Sequence, residues 1–213
     1  MRVEDVQTHL ESINGVRCDA RVEDFVVDRD AACALGCKVR ADEELLVYES
    51  AEGQLELALY LAPDLVVSLE RMSLSTIGDA LETELASYCQ VVEGVSHFMY
   101  MAQTAGQERT VSLLELEAQA EVDKFAMCLM HRWQEPGRKW ARELHQRLFD
   151  QVSYLETLSK EERWRYGEAN RLARNYCGKL VPHFMERRLD RMLSALRYSY
   201  RLGAEAKLLH LAH

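Results

Sequence analysis

The fold is decided by residues 75–133, which read STIGDALETELASYCQVVEGVSHFMYMAQTAGQERTVSLLELEAQAEVDKFAMCLMHRW. In the first half of this stretch, apolar side chains recur at spacings of three and four, as on the buried face of an amphipathic helix. They are Leu81, Leu85, Tyr88, Val92, Val95 and Met99. The second half opens with Ser112 and Glu115 at the spacing of a capping box, ahead of a further apolar run. A polar break at Gly106 separates the halves, so we predict two helices that form an antiparallel hairpin.

The chain after this hairpin is predicted to be helical throughout. Pro136-Gly137 marks a break, and a helix is expected from residue 138 to about 158. A second capping box, Ser159 to Glu162, opens the next helix, which is expected to stop at Gly178. Pro182 is then expected to start a last long helix that ends near residue 203.

The first seventy residues have a different periodicity. Residues 2–13 have helical spacing, whereas residues 44–51 and 54–62 read as two strands joined by a hairpin at Glu52-Gly53. Residues 64–70 follow a proline and form either a further strand or the start of a helix, and Val66-Val67 favour the strand. Leu55, Leu57 and Leu59 alternate with Glu56, Ala58 and Tyr60, which predicts an antiparallel sheet with one solvent-exposed face.

These patterns together predict an α+β fold that is predominantly helical. A small N-terminal module with an antiparallel sheet, residues 1–72, is expected to pack on a bundle of about five helices, residues 73–213. The linkers are short, so we expect the two parts to pack together as one unit.

Composition narrows the class of protein. An apolar fraction of 48% and few prolines and glycines are typical of a globular chain. No signal-peptide pattern and no uninterrupted apolar run of membrane-spanning length is present, so we expect a cytoplasmic protein without a membrane partner. The six cysteines are scattered, and we expect them to be free thiols.

Charge is distributed unevenly along the chain. Residues 1–75 carry a net charge of −9, residues 76–135 carry −7 and residues 136–213 carry +7. Five arginines near the C-terminus recur at helical spacing and suggest a surface that binds a phosphate or a partner. They are Arg187, Arg188, Arg191, Arg197 and Arg201. Because the acidic excess opposes nucleic acid, we expect acidic protein surface to occupy this basic face.

Four polar residues on the predicted hairpin are candidates for a metal site or for acid–base catalysis. Glu93 and His97 lie four residues apart on the first helix, and Glu117 and Glu121 lie four apart on the second. This spacing places each pair on one helical face, and antiparallel helices bring such faces together. No ligand set has the spacing of a recognised metal motif, however, so we expect no bound metal and no cofactor.

The sequence therefore favours an intracellular interaction or regulatory protein that self-associates, without catalysis. One alternative is a helical-bundle enzyme or metal-binding protein that uses Glu93, His97, Glu117 and Glu121. The other alternative is a nucleic-acid binder that uses the basic C-terminal helices.

Overall fold

The computed structural model describes residues 1–49, 52–73, 75–105, 109–134, 138–154 and 156–213. The breaks predicted at Gly106 and at Pro136-Gly137 lie outside these residues. The described chain is α+β and predominantly helical, as predicted. Its contacts divide it into two compact units, Met1–Glu11 with Val16–Arg109 and Ser12–Gly15 with Thr110–His213. The boundary expected near residue 72 stays a prediction.

The first unit contains the small sheet and the helices around it. Its elements are α1 (Val3–Asn14, whose last turn is grouped with the second unit), a 3₁₀ turn (Val22–Asp24), β1 (Val26–Val27), α2 (Arg29–Ala34), β2 (Glu43–Glu49), β3 (Leu55–Leu61), α3 (Pro63–Arg71), α4 (Ile77–Ala80) and α5 (Leu85–Ala105).

The sheet has the strand order β1-β3-β2. The predicted hairpin is confirmed, because β2 and β3 pair antiparallel with Leu45 opposite Leu59 and Val47 opposite Leu57. The two-residue strand β1 adds to β3 in parallel, so the sheet is mixed. The expectation of one exposed face is wrong for the second half of β3. Leu59 and Tyr60 point to opposite faces and are 0% and 2% exposed, because α5 covers one face and α2 packs on the other.

The strand favoured over residues 64–70 is also wrong, because these residues lie in α3. Pro63 occupies the first helical position, where its fixed φ suits a helix and its missing N–H is not needed. Leu65 and Leu69 lie four apart and are buried, so the segment has a helical apolar face. Burial of that face overrides the strand preference of the two valines between them.

The first central helix begins later than its apolar stripe predicts. A short helix, α4, and a turn precede α5, and Leu81 lies in this connection, where it is 1% exposed. Helix α5 packs on β2, β3, α3 and the 3₁₀ turn. The ring centres of Phe98 on α5 and Phe25 lie 4.8 Å apart, and this contact anchors the helix on the N-terminal part of the unit.

The second unit contains five long or medium helices within the described residues. They are α6 (Leu113–His131), α7 (Arg138–Phe149), α8 (Lys160–Met185), α9 (Leu189–Arg201) and α10 (Ala204–Ala212). Helix α8 is central, because α6, α7, α9 and α10 all pack on it.

Both predicted helix starts in this unit are confirmed. The Ser112 hydroxyl accepts the Glu115 amide at 3.1 Å, and Ser159 and Glu162 form the reciprocal capping box. The stop predicted at Gly178 and the restart at Pro182 are wrong, because α8 runs through both. A long apolar face that ends in Phe184 is buried along α8, and its packing offsets the lost proline hydrogen bond.

All six cysteines are free, as expected, and Cys89, Cys128 and Cys177 are buried. Within the described ranges, no helix has both the length and the apolar character that crossing a bilayer requires.

Candidate functional site

The candidate site of the first unit lies where α5 crosses the sheet. Gly94 faces β2 and β3, and a Cβ atom on it would lie 2.8 Å from Cγ of Glu43 and 2.9 Å from Leu59 Cδ1. Such distances are shorter than van der Waals contact allows, so only glycine fits here without movement of its neighbours. Gly94 therefore lets the Glu43 side chain lie flat against the helix.

This close approach brings Glu43 to the imidazole of His97. Oε1 of Glu43 lies 3.6 Å from Nδ1 of His97, and the two side chains are only 11% and 9% exposed. Glu93 lies one helical turn before His97, and one of its carboxylate oxygens is within 4.8 Å of a ring nitrogen of His97. His97 thus has two carboxylates near its ring, that of Glu43 on β2 and that of Glu93 on its own helix. All three side chains make further interactions.

The donor set and its spacing match the chemistry of a divalent cation. Imidazole nitrogen and carboxylate oxygen are both ligands of zinc and of other first-row metals. Bonds of about 2.0–2.2 Å in a tetrahedral site place two ligand atoms about 3.3–3.6 Å apart. The 3.6 Å between Glu43 and His97 fits this value. A cation bound there would also offset the cost of burying the Glu43 carboxylate.

The other two predicted site residues, Glu117 and Glu121, belong to the second unit on α6. Glu117 is 7% exposed, and one of its carboxylate oxygens lies 3.5 Å from Nε of Arg165 on α8. Glu121 accepts a hydrogen bond from Nζ of Lys124 at 2.8 Å. Convergence of all four predicted residues stays a prediction.

A buried polar network occupies the core of the second unit. Lys207 on α10 is fully buried and donates from Nζ to Oε1 of Gln119 at 2.7 Å and to the carbonyl of Tyr200 at 3.1 Å. Gln119 in turn donates to Oδ1 of Asp123 at 2.9 Å, and that oxygen also accepts Nδ2 of Asn14 at 3.0 Å. The ammonium also lies 5.1 Å from the centre of the Tyr200 ring. Because every charged group has partners, the network holds α6, α9, α10 and the end of α1 in one arrangement.

The thiol of Cys177 lies in the core of α8, within reach of the negative charges of Glu121 and Asp123. Complete burial, followed by the two negative charges, raises the pKa of Cys177 well above its usual value. Burial likewise raises the pKa of the neighbouring Tyr176 hydroxyl. Cys177 is therefore a neutral core residue and not a nucleophile.

The sequence did not single out Glu43 or Lys207. Glu43 lies in an acidic stretch where nothing distinguishes it from Glu44, and only its closeness to Gly94 reveals its position. The sequence feature that points to this position is Gly94, between Glu93 and His97. A glycine inside a helix often has a packing reason, such as another element that lies close to the helix backbone. For Lys207 the signal is its place within the apolar run Ala206–Leu211 of α10.

The five predicted arginines do not form one open surface. Arg197 donates to the carbonyls of Ser12 and Ile13 at 3.0 and 3.4 Å, and Arg201 donates to Gly15 at 3.2 Å. These carbonyls lie at the C-terminal end of α1, where the partial negative charge of the helix dipole favours a cation. A Cβ atom on Gly15, which has a φ of +63°, would lie 2.8 Å from the Arg197 side chain.

The other three arginines lie around the α8–α9 junction. Arg188 pairs with Glu186 at 2.9 Å, and the guanidinium of Arg187 lies 5.9 Å from the centre of the Trp133 ring. Arg191 lines an open groove on α9. The assignment of all five as partner- or phosphate-binding residues stays a prediction.

With this geometry in hand, comparison with known protein families, curated proteins and solved structures finds no match to the chain.

Proposed function

We propose that this protein binds a divalent metal ion through Glu43, Glu93 and His97 in its first unit. The metal-binding alternative from the sequence used Glu93, His97, Glu117 and Glu121. This proposal keeps Glu93 and His97 and has Glu43 in place of Glu117 and Glu121. The observation that supports it most directly is the 3.6 Å separation of Glu43 Oε1 and His97 Nδ1, at a place where a glycine permits the contact. Three protein ligands leave room for a water or a substrate in the remaining coordination position.

Zn²⁺ and Co²⁺ suit this donor set better than Mg²⁺ or Ca²⁺ do. The imidazole nitrogen is a borderline ligand that favours late first-row metals, whereas magnesium and calcium prefer all-oxygen sites. Cobalt is the more useful probe, because its visible absorption reports nitrogen and oxygen coordination. A metal whose coordination positions are all filled by protein groups is structural. A metal that keeps one position for water can take part in a hydrolytic reaction.

Titration of metal-depleted protein with Co²⁺, followed by calorimetry and visible absorption, tests this proposal. We expect about one equivalent to bind, and His97→Gln or Glu93→Gln to weaken binding at least about tenfold. The matched controls are His183→Gln and Glu70→Gln, which remove the same functional groups elsewhere and should leave affinity unchanged. Absence of cobalt absorption at saturating metal, or equal loss in the controls, would refute the site.

Self-association without catalysis, the function that the sequence favours, remains the second proposal. It is supported by large apolar side chains that are exposed in the second unit, with Trp164 at 62% and Tyr198 at 58%. Interface cores are enriched in such aromatic residues. A cytoplasmic location is part of this proposal.

Sedimentation velocity over a range of protein concentrations tests self-association. We expect Trp164→Ser or Tyr198→Ser to shift the protein towards monomer, and Leu35→Ser, at a 37% exposed site of the first unit, to have no effect. A wild-type protein that stays monomeric at all concentrations would exclude this second function.

A further inference from the structure

An open groove of about 330 Å³ lies beside the start of α9, and the function proposed above does not use it. Its lining comes from the end of α8 and from the first two turns of α9. The lining residues are His183, Asp190, Arg191 and Ser194. A cation, an imidazole, a hydroxyl and a carboxylate therefore line one open groove.

Two of the polar side chains in this groove have no partner within the described part of the chain. Among the described residues, neither the guanidinium of Arg191 nor the ring of His183 has a hydrogen-bond or ion-pair partner. This distinguishes Arg191 from Arg188, which pairs with Glu186, and from Arg197 and Arg201, which hold backbone carbonyls. An exposed arginine with its donors unused, in a cavity with two further donors, is suited to an anionic ligand.

We propose that this groove binds a small hydroxylated phosphate monoester, of which a sugar phosphate is the simplest kind. The planar guanidinium of Arg191 matches two phosphate oxygens, and the Ser194 hydroxyl and a His183 ring N–H supply the other donors. Asp190 is an acceptor and repels phosphate, so its partner in the ligand is a hydroxyl group. A phosphate and a hydroxyl on one molecule use all four side chains.

The size of the groove and the charge of the chain favour a small ligand over a nucleic acid. Small-molecule sites span about 300–1,000 Å³, and this groove lies at the lower end. A long polyanion must approach a chain with a net charge of −9, which opposes binding at low ionic strength. One phosphate group that contacts one arginine avoids most of that repulsion.

Calorimetric titration with glucose 6-phosphate, inorganic phosphate and glucose tests the assignment, with the His183 ring resonances followed by NMR as a second readout. We expect saturable binding of glucose 6-phosphate and a shift of the His183 signals. Arg191→Gln should weaken this binding about tenfold or more, since it removes a charge-assisted contact. Asp190→Asn should weaken the binding of glucose 6-phosphate, because only the sugar hydroxyl uses the carboxylate. The affinity for inorganic phosphate should stay unchanged or increase.

The matched control is Lys160→Gln, which removes one positive charge at the opposite end of α8. Residues 160 and 183 are separated by roughly 34 Å along an ideal helix, so this variant should bind as the wild type does. All these side chains except His183 are exposed, and circular dichroism melts verify that each variant folds.

Three results would overturn the proposal. The first is no saturable binding of glucose 6-phosphate at about 10 mM, well above a millimolar dissociation constant. The second is equal weakening by Arg191→Gln and Lys160→Gln, which indicates an unspecific charge effect. The third is tighter binding of a single-stranded oligonucleotide that is lost in Arg191→Gln, which assigns the groove to nucleic acid.

Discussion

At the scale of single residues, Gln119 has an unusual position, because its amide links a buried cation to a buried anion. Its Oε1 accepts from Lys207 and its Nε2 donates to Asp123, with both bonds inside the second unit. Lys207 and Asp123 are 0% and 1% exposed, so water cannot replace a lost partner. The neutral amide therefore satisfies two charges that would each be costly alone.

We expect Gln119→Leu, which keeps the side-chain volume, to lower the free energy of unfolding by about 2–5 kcal/mol. The matched control is Gln146→Leu on α7, an exposed glutamine, with an expected change within about 0.5 kcal/mol. Urea unfolding followed by circular dichroism measures both. A loss in Gln119→Leu as small as that of the control would show that the network adds little to stability.

At the scale of elements, the packing of α5 on the sheet depends on one glycine. Gly94 lies between Glu93 and His97, and Glu43 and Leu59 occupy the space where a side chain would stand. Several other buried positions of the helix carry large side chains, such as Val95 and Phe98, whereas Gly94 carries none and lets Glu43 and Leu59 approach its backbone. The same contact places Glu43 beside His97, which joins helix packing to the candidate metal site.

We expect Gly94→Ala to destabilise the protein by about 1–3 kcal/mol, because the helix or Glu43 must move to make room. Gly167→Ala is the matched control, since Gly167 also lies in a helix and a Cβ atom added to it would meet no other atom within 4 Å. That change should be neutral or stabilising by up to about 1 kcal/mol. Thermal melts compare the two variants, and equal effects would contradict the close packing.

At the scale of the whole molecule, stability should depend on alkaline pH through the core of the second unit. Cys177 and Tyr176 both have raised pKa values because they are buried. Below the usual thiol pKa of 9.0, the thiol is neutral in both the folded and the unfolded chain, and its contribution is fully present. Above 9.0 the unfolded chain releases the thiol proton while the folded chain retains it, so rising pH favours unfolding.

We therefore expect the free energy of unfolding to fall above pH 9.0, by up to about 1.4 kcal/mol per pH unit for each such group. The Tyr176 contribution should begin above 10.0, its usual pKa. Urea unfolding between about pH 8 and pH 11 measures the slope of the unfolding free energy against pH. That slope corresponds to the release of roughly one proton per group on unfolding. Cys177→Ala should reduce this slope. The control Cys33→Ala, which removes an exposed thiol, should leave the slope unchanged. A flat profile would contradict neutral burial of these groups.

Local sequence patterns are sufficient to predict the α+β class, the strand hairpin and the helix starts at Ser112 and Ser159. These features depend on residues a few positions apart. Tertiary structure decided the helix at residues 63–71, the passage of α8 through Gly178 and Pro182, and the burial of both faces of β3. In each case, apolar burial against another element outweighed local propensity. Tertiary structure alone also placed Glu43 beside His97 and Gln119 beside Lys207, because those partners are distant in the chain and meet only through packing.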